Sequence, residues 1–255
     1  MAIYTKLSEN NLKEFFLKYN LGKLLNYKGI QEGIENTNYF IQTDKGKFIL
    51  TVYEKRVEEK DLPFFMGLMK NLFDANFPSP EPIINKNGSY VTEISGKKAA
   101  VVSFLDGSAK KNLNPNDCHK IGIQAAKLHL ITKKLIGKRE NKLSVNSWRK
   151  IYKKVQKDCS RIHINLTKTI EKNLDEIENN WPKNIPSGII HADLFPDNIF
   201  FKDNKLTGII DFYFSCYDFY VFEIAICLNA LCFEGQKENL SFNVTKAKKF
   251  IDGYS

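Results

Sequence analysis

The sequence predicts an α+β protein built from two unequal lobes. Residues 1–105 are rich in strand-like alternation and turn residues, whereas residues 106–255 are dominated by helical periodicity. Between the last two predicted helices lie one polar loop and a β-hairpin. A strand-rich segment followed by a helix-rich one is typical of α+β folds, and we expect the polar loop to line a cleft between the lobes.

In the first lobe, apolar residues at helical spacing over residues 5–19 predict a short amphipathic helix. A second helix is predicted over residues 61–73, with Asp61 as its N-cap and Pro63 in its first turn. Alternating apolar stretches bounded by turn residues predict strands around these helices. Two strands are expected within residues 27–43, around a turn at residues 33–36, and others over residues 47–53, 83–84, 89–94 and 98–105.

In the second lobe, Asn114 and Pro115 predict the start of a long helix that ends near Leu135. His129 on this helix is interpreted as a packed, hydrogen-bonded histidine and not as a ligand. Another amphipathic helix is predicted over residues 166–181, where Pro182 ends it. A strand over residues 188–190 precedes the polar loop, and an apolar, buried helix is predicted over residues 218–233.

The polar loop carries oxygen-bearing side chains at a suggestive spacing. Asn198 follows Asp193 by five residues, and a turn at Asp203 and Asn204 predicts a hairpin that returns Asp211 beside Asn198. Phosphoryl transfer needs one acceptor for the proton of the attacking hydroxyl and hard oxygen ligands for Mg²⁺. Because isolated Asp and Asn are common turn residues, the prediction of a phosphotransferase depends on their combination with the hairpin.

Composition limits the classes of partner. The net charge is +9, but only 4 of the 38 basic residues are Arg, the side chain best suited to bidentate contacts with bases and phosphates. Nucleic acid is therefore not an expected partner. The longest apolar stretch, residues 224–233, is about half a membrane span, so no membrane association is expected. The five cysteines lack C-x-x-C spacing and are expected to be free thiols of a cytoplasmic protein; no oligomeric state is indicated.

The stretch over residues 191–201, together with Ile209-Ile-Asp211-Phe212, resembles the aminoglycoside phosphotransferase and choline kinase superfamily. The resemblance implies a protein-kinase-like bilobal fold, with a small β-rich nucleotide-binding lobe (1–105) and a larger helical catalytic lobe (106–255). Blocks that resemble the homoserine kinase branch of this superfamily cover nearly the whole chain, at residues 27–39, 49–56, 61–65, 191–201, 211–214 and 225–230. This implies phosphorylation of the side-chain hydroxyl of L-homoserine in threonine biosynthesis, with ATP and Mg²⁺ as cofactors.

The resemblance also implies roles for individual residues. Asp193 would be the catalytic base, and Asn198 and Asp211 the metal ligands. His191 and Glu223 would support the shape of the catalytic loop. The residues expected to bind the nucleotide, at the phosphate-covering turn and where the lobes join, are Gly33, Asn36, Asn38, Ser103 and Leu105.

Three features depart from the superfamily pattern. The third strand has Thr51 where most members have Lys or Arg, and Lys55 or Arg56 is a hypothetical substitute for that charge. Glu223 stands where the family has Asp. Relatives usually continue into further helices, so the catalytic lobe is expected to be shortened at its C-terminus.

Two other functions remain open at this level. The acceptor could be choline, ethanolamine, a methylthio-sugar or an aminoglycoside; a choline site would need an aromatic cage, for which the sequence offers Tyr213, Phe214, Tyr217 and Phe219. Alternatively, Thr51 and the shortened lobe would suit a non-catalytic nucleotide-binding homologue.

Overall fold

The computed structural model describes residues 3–32, 35–54, 57–135, 137–235 and 239–255. In these residues the chain forms an α+β fold, as predicted. The helices are α1 (Glu9–Phe16), α2 (Leu62–Asp74), α3 (Pro115–Thr132), α4 (Val145–Ile162), α5 (Leu166–Asn180), α6 (Tyr220–Cys232) and α7 (Val244–Tyr254). The strands are β1 (Leu24–Ile30), β2 (Thr37–Thr43), β3 (Gly46–Val52), β4 (Pro82–Ile83), β5 (Val91–Ile94), β6 (Lys97–Ser103), β7 (Ser108–Ala109), β8 (Ser187–Ile190), β9 (Ile199–Lys202), β10 (Lys205–Ile209), β11 (Cys216–Phe219), β12 (Phe233–Glu234) and β13 (Ser241–Phe242).

The first part of the chain builds one antiparallel sheet. Its strands lie in the order β1-β2-β3-β6-β4, and β5 pairs with the first half of β6. Every second residue of β2 is buried, which is the period-two pattern of a strand with one face on a core. All the strands predicted in this lobe form, with ends shifted by up to three residues.

Helix α1 covers one face of this sheet. Its buried residues Leu12, Phe15 and Phe16 pack against a core that includes Ile41 and Leu50 of the sheet. The helix is shorter than predicted, because Ser8 forms a capping box with Asn11 and so starts the helix four residues into the predicted span.

Helix α2 joins the sheet to the helical part of the chain. Its buried residues Phe65, Met66 and Leu72 lie in the same apolar core as Ile121 of α3 and Phe212. Fully burying one such side chain stabilises the fold by about 1.5–3 kcal/mol, so this shared core holds the two parts together. The division of function at residue 105 stays a prediction.

The helical part also contains helices α4 and α7, which were not among the predicted elements. Helix α7 packs closely on α3, because a Cβ at Gly122 would lie 2.1 Å from the carbonyl oxygen of Phe250. The predicted helix over residues 218–233 was wrong at its start. Asp218 and Phe219 belong to β11, whose antiparallel pairing with β8 claims their backbone groups, and α6 begins at Tyr220.

Other expectations can be checked against the same residues. All five cysteines are free and buried. Throughout the described part of the chain, no helix combines the length and the apolar character that crossing a membrane requires.

Candidate active site

A two-residue hairpin brings the candidate metal ligands together. Strands β9 and β10 are joined by Asp203 and Asn204, whose φ values of 48° and 60° suit the tight turns that match the twist of paired strands. At the other end of the hairpin, the backbone N–H of Ile210 donates to the carbonyl of Asn198 at 3.0 Å. Asp211 is the next residue, so the structure places it beside Asn198.

Asn198 also fixes the loop that carries Asp193. Its amide nitrogen donates to the backbone carbonyl of Asp193 and to the Asp193 carboxylate, both at 2.8 Å. The amide oxygen is on the other side of the same planar group and remains as a ligand atom for a cation. Asp193 and Asn198 are thus one rigid unit, with the carboxylate half-buried.

Asp211 has an unusual backbone conformation. Its φ of 65° and ψ of 58° lie in the left-handed region, and a single 3₁₀ turn, Phe212–Phe214, follows it. Asp tolerates this region better than most residues that carry a Cβ. The conformation separates the hairpin from this turn and is a form of local strain that is often found at functional sites.

The carboxylates of Asp193 and Asp211 concentrate negative charge in the site. Burial, with smaller contributions from Glu35 and Asp197, raises the pKa of Asp193 to about 6 against the lowering effect of the hydrogen bond from Asn198. Burial also raises the pKa of Asp211 to about 6, with Asp193 and Glu35 adding to the effect. A bound cation would relieve this repulsion.

The donor set suits Mg²⁺ held jointly with phosphates. Among the described residues, no cluster of three or more His, Cys, Asp and Glu side chains could hold a metal by itself. One carboxylate and one amide are the few hard oxygen ligands that a phosphate-bound Mg²⁺ takes from a protein. Asp211 and Asn198 therefore fit this metal.

His191 lies fully buried beneath the loop. Its Nε2 is 3.0 Å from the carbonyl oxygen of Ile210, and its Nδ1 accepts from the backbone N–H of Asp193 at 3.2 Å. These contacts define a neutral imidazole with the proton on Nε2, and burial lowers the pKa of His191 to about 4. The ring connects the start of the loop to the end of the hairpin, which is the geometry expected of a supporting residue.

Glu223 of α6 binds the backbone of the same loop. Its Oε2 accepts from the backbone N–H of His191 and from that of Ala192, the latter at 3.2 Å. Burial raises the pKa of Glu223 to about 7, while these two N–H groups lower it. His129 packs behind it, with Nε2 4.0 Å from Oε2 and Nδ1 2.7 Å from the Tyr254 hydroxyl. The interpretation of His129 as a packed, hydrogen-bonded residue is confirmed.

We expect Glu223→Ala to lower the free energy of unfolding by about 2–5 kcal/mol, because two buried N–H groups lose their acceptor. Glu223→Gln keeps a side-chain oxygen for them and is expected to cost no more than about 1 kcal/mol. Urea denaturation of both variants measures the difference. An equal loss in both would mean that the charge, and not the acceptor atom, supports the loop.

The predicted phosphate-covering residues are only partly described. Gly33 lies outside the described residues, as do Lys55 and Arg56, so neither the turn glycine nor the substitute charge is located. The Asn36 side chain accepts from the backbone N–H of Glu54 at 3.3 Å. Asn38 accepts from the hydroxyl of Thr51 at 2.8 Å, and Thr51 is buried. Asn38 and Thr51 thus form a neutral polar pair at the position where the resemblance had led us to expect a Lys or Arg.

Ser103 and Leu105 lie where the sheet meets the helical part. The Ser103 hydroxyl accepts from the backbone N–H of Glu81 at 2.8 Å, and its own N–H donates to the Glu81 carbonyl at 2.8 Å. Ser103 is therefore engaged within the sheet. Leu105 faces the catalytic hairpin, since a Cβ added at Gly208 would lie 2.9 Å from its Cδ1. Of the two, Leu105 is better placed to contact a group bound between the lobes.

One contact near the site could not be predicted from the sequence. The Tyr213 ring, two residues after Asp211, packs edge-on against Tyr53 at 5.3 Å and Phe65 at 5.6 Å. Its hydroxyl is 3.1 Å from that of Tyr53, which is 160 residues away in sequence. The segment after Asp211 is thereby held between the end of β3 and α2.

Comparison with known proteins agrees with this geometry. Residues 26–242 match the model of the phosphotransferase enzyme family. The homoserine kinase of Beijerinckia indica subsp. indica is 45% identical over 254 residues, covering 100% of this chain and 78% of the relative. The homoserine kinase of Nitrobacter hamburgensis is 44% identical over 255 residues, covering 100% of this chain and 77% of the relative.

Solved structures share the fold. A spectinomycin phosphotransferase in complex with ADP and spectinomycin has a TM-score of 0.73 at 13% identity, over 98% of this chain and 80% of that one. An amicoumacin kinase in complex with AMP-PNP and Ca²⁺ has a TM-score of 0.73 at 16% identity, over 98% of this chain and 77% of that one. The predicted kinase-like fold is confirmed, and the chain belongs to the phosphotransferase enzyme family.

Proposed function

We propose that this chain is an ATP-dependent kinase that phosphorylates the side-chain hydroxyl of L-homoserine. The observation that carries the proposal is the match of curated homoserine kinases to the whole chain at 43–45% identity. The acceptor is thus a small molecule.

Asp193 is the proposed base. Its carboxylate accepts the proton of the homoserine hydroxyl as that oxygen attacks the transferring phosphoryl group. A pKa raised to about 6 by burial makes this carboxylate a better proton acceptor than a solvated one. Asn198 keeps it in place through the paired hydrogen bonds from its amide, so that little motion is needed when the substrate binds.

Asn198 and Asp211 are the proposed ligands of Mg²⁺. When bound, the metal neutralises charge on the ATP phosphates. The left-handed turn at Asp211 and the hairpin behind it keep the carboxylate in one position, which is the preorganisation that electrostatic catalysis needs. His191 and Glu223 add to this preorganisation by binding the backbone of the loop that carries Asp193.

We further propose that residues 1–105 supply most of the nucleotide contacts and residues 106–255 the catalytic ones. The phosphates would lie under Asn36 and Asn38, and the adenine near Leu105. Asn38 supports this placement, since its amide oxygen accepts from Thr51 and its amide N–H groups are suitable donors to phosphate oxygens.

Three of the four aromatic residues considered for a choline cage pack against different neighbours. Tyr213 packs between Tyr53 and Phe65, the Tyr217 hydroxyl is 3.0 Å from that of Ser187, and Phe219 contacts Trp181. An aromatic cage needs several rings around one point. Choline is therefore not favoured as the acceptor.

Release of ADP in the presence of different acceptors tests the proposal. We expect release with L-homoserine and Mg²⁺-ATP, and only background release with choline, ethanolamine, a methylthio-sugar or an aminoglycoside. Mass spectrometry of the product should show a phosphate ester on homoserine. Release with another acceptor would reassign the substrate, and release with none would favour a non-catalytic homologue.

A further inference from the structure

Helix α2 carries no glutamate for the ion pair that positions a helix beside the third strand in protein kinases. In protein kinases a Lys on the third strand pairs with a Glu of the adjacent helix, and this pair must be in place for activity. Here the third strand has Thr51, whose hydroxyl donates to Asn38. Helix α2 contains no Glu, and its one acidic residue, Asp74, is its last. Besides the apolar core, a different polar contact ties α2 to the site.

The structure provides such a contact at the N-terminal end of α2, the end opposite Asp74. Asp61 stands at the N-cap position, as predicted, but its side chain makes no capping hydrogen bond. Its carboxylate instead accepts from Arg139 Nε at 2.7 Å and from Lys142 at 3.2 Å. Both members of the Asp61–Arg139 pair are mostly buried, with side chains 11% and 16% exposed.

Arg139 also binds the segment that follows Asp211. Its Nη1 donates to the carbonyls of Phe214 and Ser215, at 3.3 Å and 3.0 Å. Its own carbonyl accepts from the backbone N–H of Tyr217 at 2.7 Å, which anchors Arg139 beside β11. One guanidinium therefore ties α2 to the residues just beyond the candidate metal ligand.

The geometry requires an arginine. The planar guanidinium presents several N–H groups in fixed directions, and here they reach a carboxylate and two carbonyls at once. Its Cζ also lies 5.0 Å from the centre of the Phe65 ring, the α2 side chain that contacts Tyr213. Burial raises the pKa of Asp61, but the hydrogen bonds from Arg139 and Lys142 outweigh it and hold that pKa below its ordinary value.

We propose that Arg139 is a positioning residue for phosphoryl transfer, which acts with Asp61 to lock α2 onto the turn after Asp211 and so to hold Asp211 in its metal-binding position. The proposal rests on the proposed kinase function. Arg139 touches neither Asp193 nor Asp211 in this arrangement; it acts through the backbone at residues 214 and 215 and through α2.

The test uses Arg139→Lys, Arg139→Gln, Asp61→Asn and the double variant Arg139→Gln/Asp61→Asn. Arg149→Gln is the matched control, because Arg149 also pairs with two carboxylates, Asp175 and Glu178, but on the α4–α5 surface. We expect kcat to fall about 10- to 100-fold in the Arg139 and Asp61 variants, as small misplacements of catalytic groups have such effects, with the KM for homoserine little changed. Because the pair acts as a unit, the double variant is expected to lose no more than the single ones.

A second measurement separates positioning from a general loss of structure. The binding of a non-hydrolysable ATP analogue is titrated with Mg²⁺, and the half-saturating Mg²⁺ concentration is expected to rise about tenfold in the Arg139 and Asp61 variants but not in Arg149→Gln. Arg139→Lys keeps a positive charge for Asp61 but cannot reach both carbonyls, so it is expected to remain folded at the assay temperature, as its thermal denaturation curve checks, and still to show the shift.

The outcomes are distinct. A folded Arg139→Lys or Asp61→Asn variant with wild-type kcat and an unchanged Mg²⁺ titration would overturn the inference. If wild type binds the analogue with Mg²⁺ but does not phosphorylate homoserine, the proposed acceptor fails, while the Mg²⁺ titration still decides the role of Arg139. If Arg139→Gln fails to fold, the Lys and Asn variants carry the test.

Discussion

Asp193→Asn is expected to lower kcat by about 10²- to 10⁴-fold, the range for loss of a general base. The substitution keeps the size of the side chain and an oxygen that can accept from Asn198, but removes the negative charge and the ability to take a proton. Nucleotide binding should be retained, since Asp193 is not one of the proposed metal ligands. Steady-state ADP release and Mg²⁺-dependent binding of an ATP analogue measure the two effects separately.

The control for Asp193→Asn is Asp197→Asn. Asp197 is exposed on the same loop and is the smallest of the influences that raise the pKa of Asp193. Exposed substitutions of this kind usually change energies by no more than about 0.5 kcal/mol, so kcat is expected to stay within about twofold of wild type. If Asp193→Asn retained wild-type turnover, Asp193 could not be the base.

Asp211→Asn is expected to lower kcat at least about 10³-fold, because a catalytic metal supplies several kcal/mol of charge stabilisation in the transition state. Asn is preferred to Ala here, since Asn tolerates the left-handed backbone at φ 65° and Ala would add strain. Loss of function can then be assigned to the missing carboxylate and not to a distorted turn.

Thermal denaturation with and without Mg²⁺-ATP checks this expectation. Wild type should gain stability from the bound nucleotide, as any ligand of the native state confers, whereas Asp211→Asn should gain much less. Without ligand the variant should be at least as stable as wild type, because burial already disfavours the Asp211 charge and raises its pKa to about 6.

Asp203→Asn is the matched control for Asp211→Asn. Asp203 has a φ of 48° in the turn of the same hairpin and is exposed, so the same substitution is made in a similar backbone conformation away from the site. A normal Mg²⁺ titration of activity in Asp211→Asn would show that Asp211 does not bind the metal.

Helices α4 and α7 show where pattern reading failed. The apolar residues of α4 do recur at helical spacing, at Val145, Trp148, Tyr152, Val155 and Cys159, but the helix was not predicted because lysines and other polar residues fill the positions between them. Helix α7 buries Lys246 together with Phe250, and the Lys246 amino group pairs with Glu234 at 2.6 Å. A buried lysine contradicts the apolar period on which helix prediction depends.

The sequence by itself determined the local part of the site. Asp193, Asn198 and Asp211 lie within one short stretch, and the turn at Asp203 and Asn204 sets the hairpin register through backbone preferences of neighbouring residues. Because these interactions are short-range, residue types and spacing were enough to predict that the three side chains meet, and to predict the strands of the first sheet.

Only the tertiary structure decided what holds this stretch in place. Arg139 and Asp61 are 78 residues apart, and Tyr53 and Tyr213 are 160 residues apart. No sequence spacing predicts either contact. Which side chains meet depends on how α2 and the β9–β10 hairpin pack in their common core. The same packing separated Tyr213, Tyr217 and Phe219, which are close in sequence but point into different surroundings. The chemistry of the site is therefore local, whereas its positioning depends on contacts that form only when the whole chain is folded.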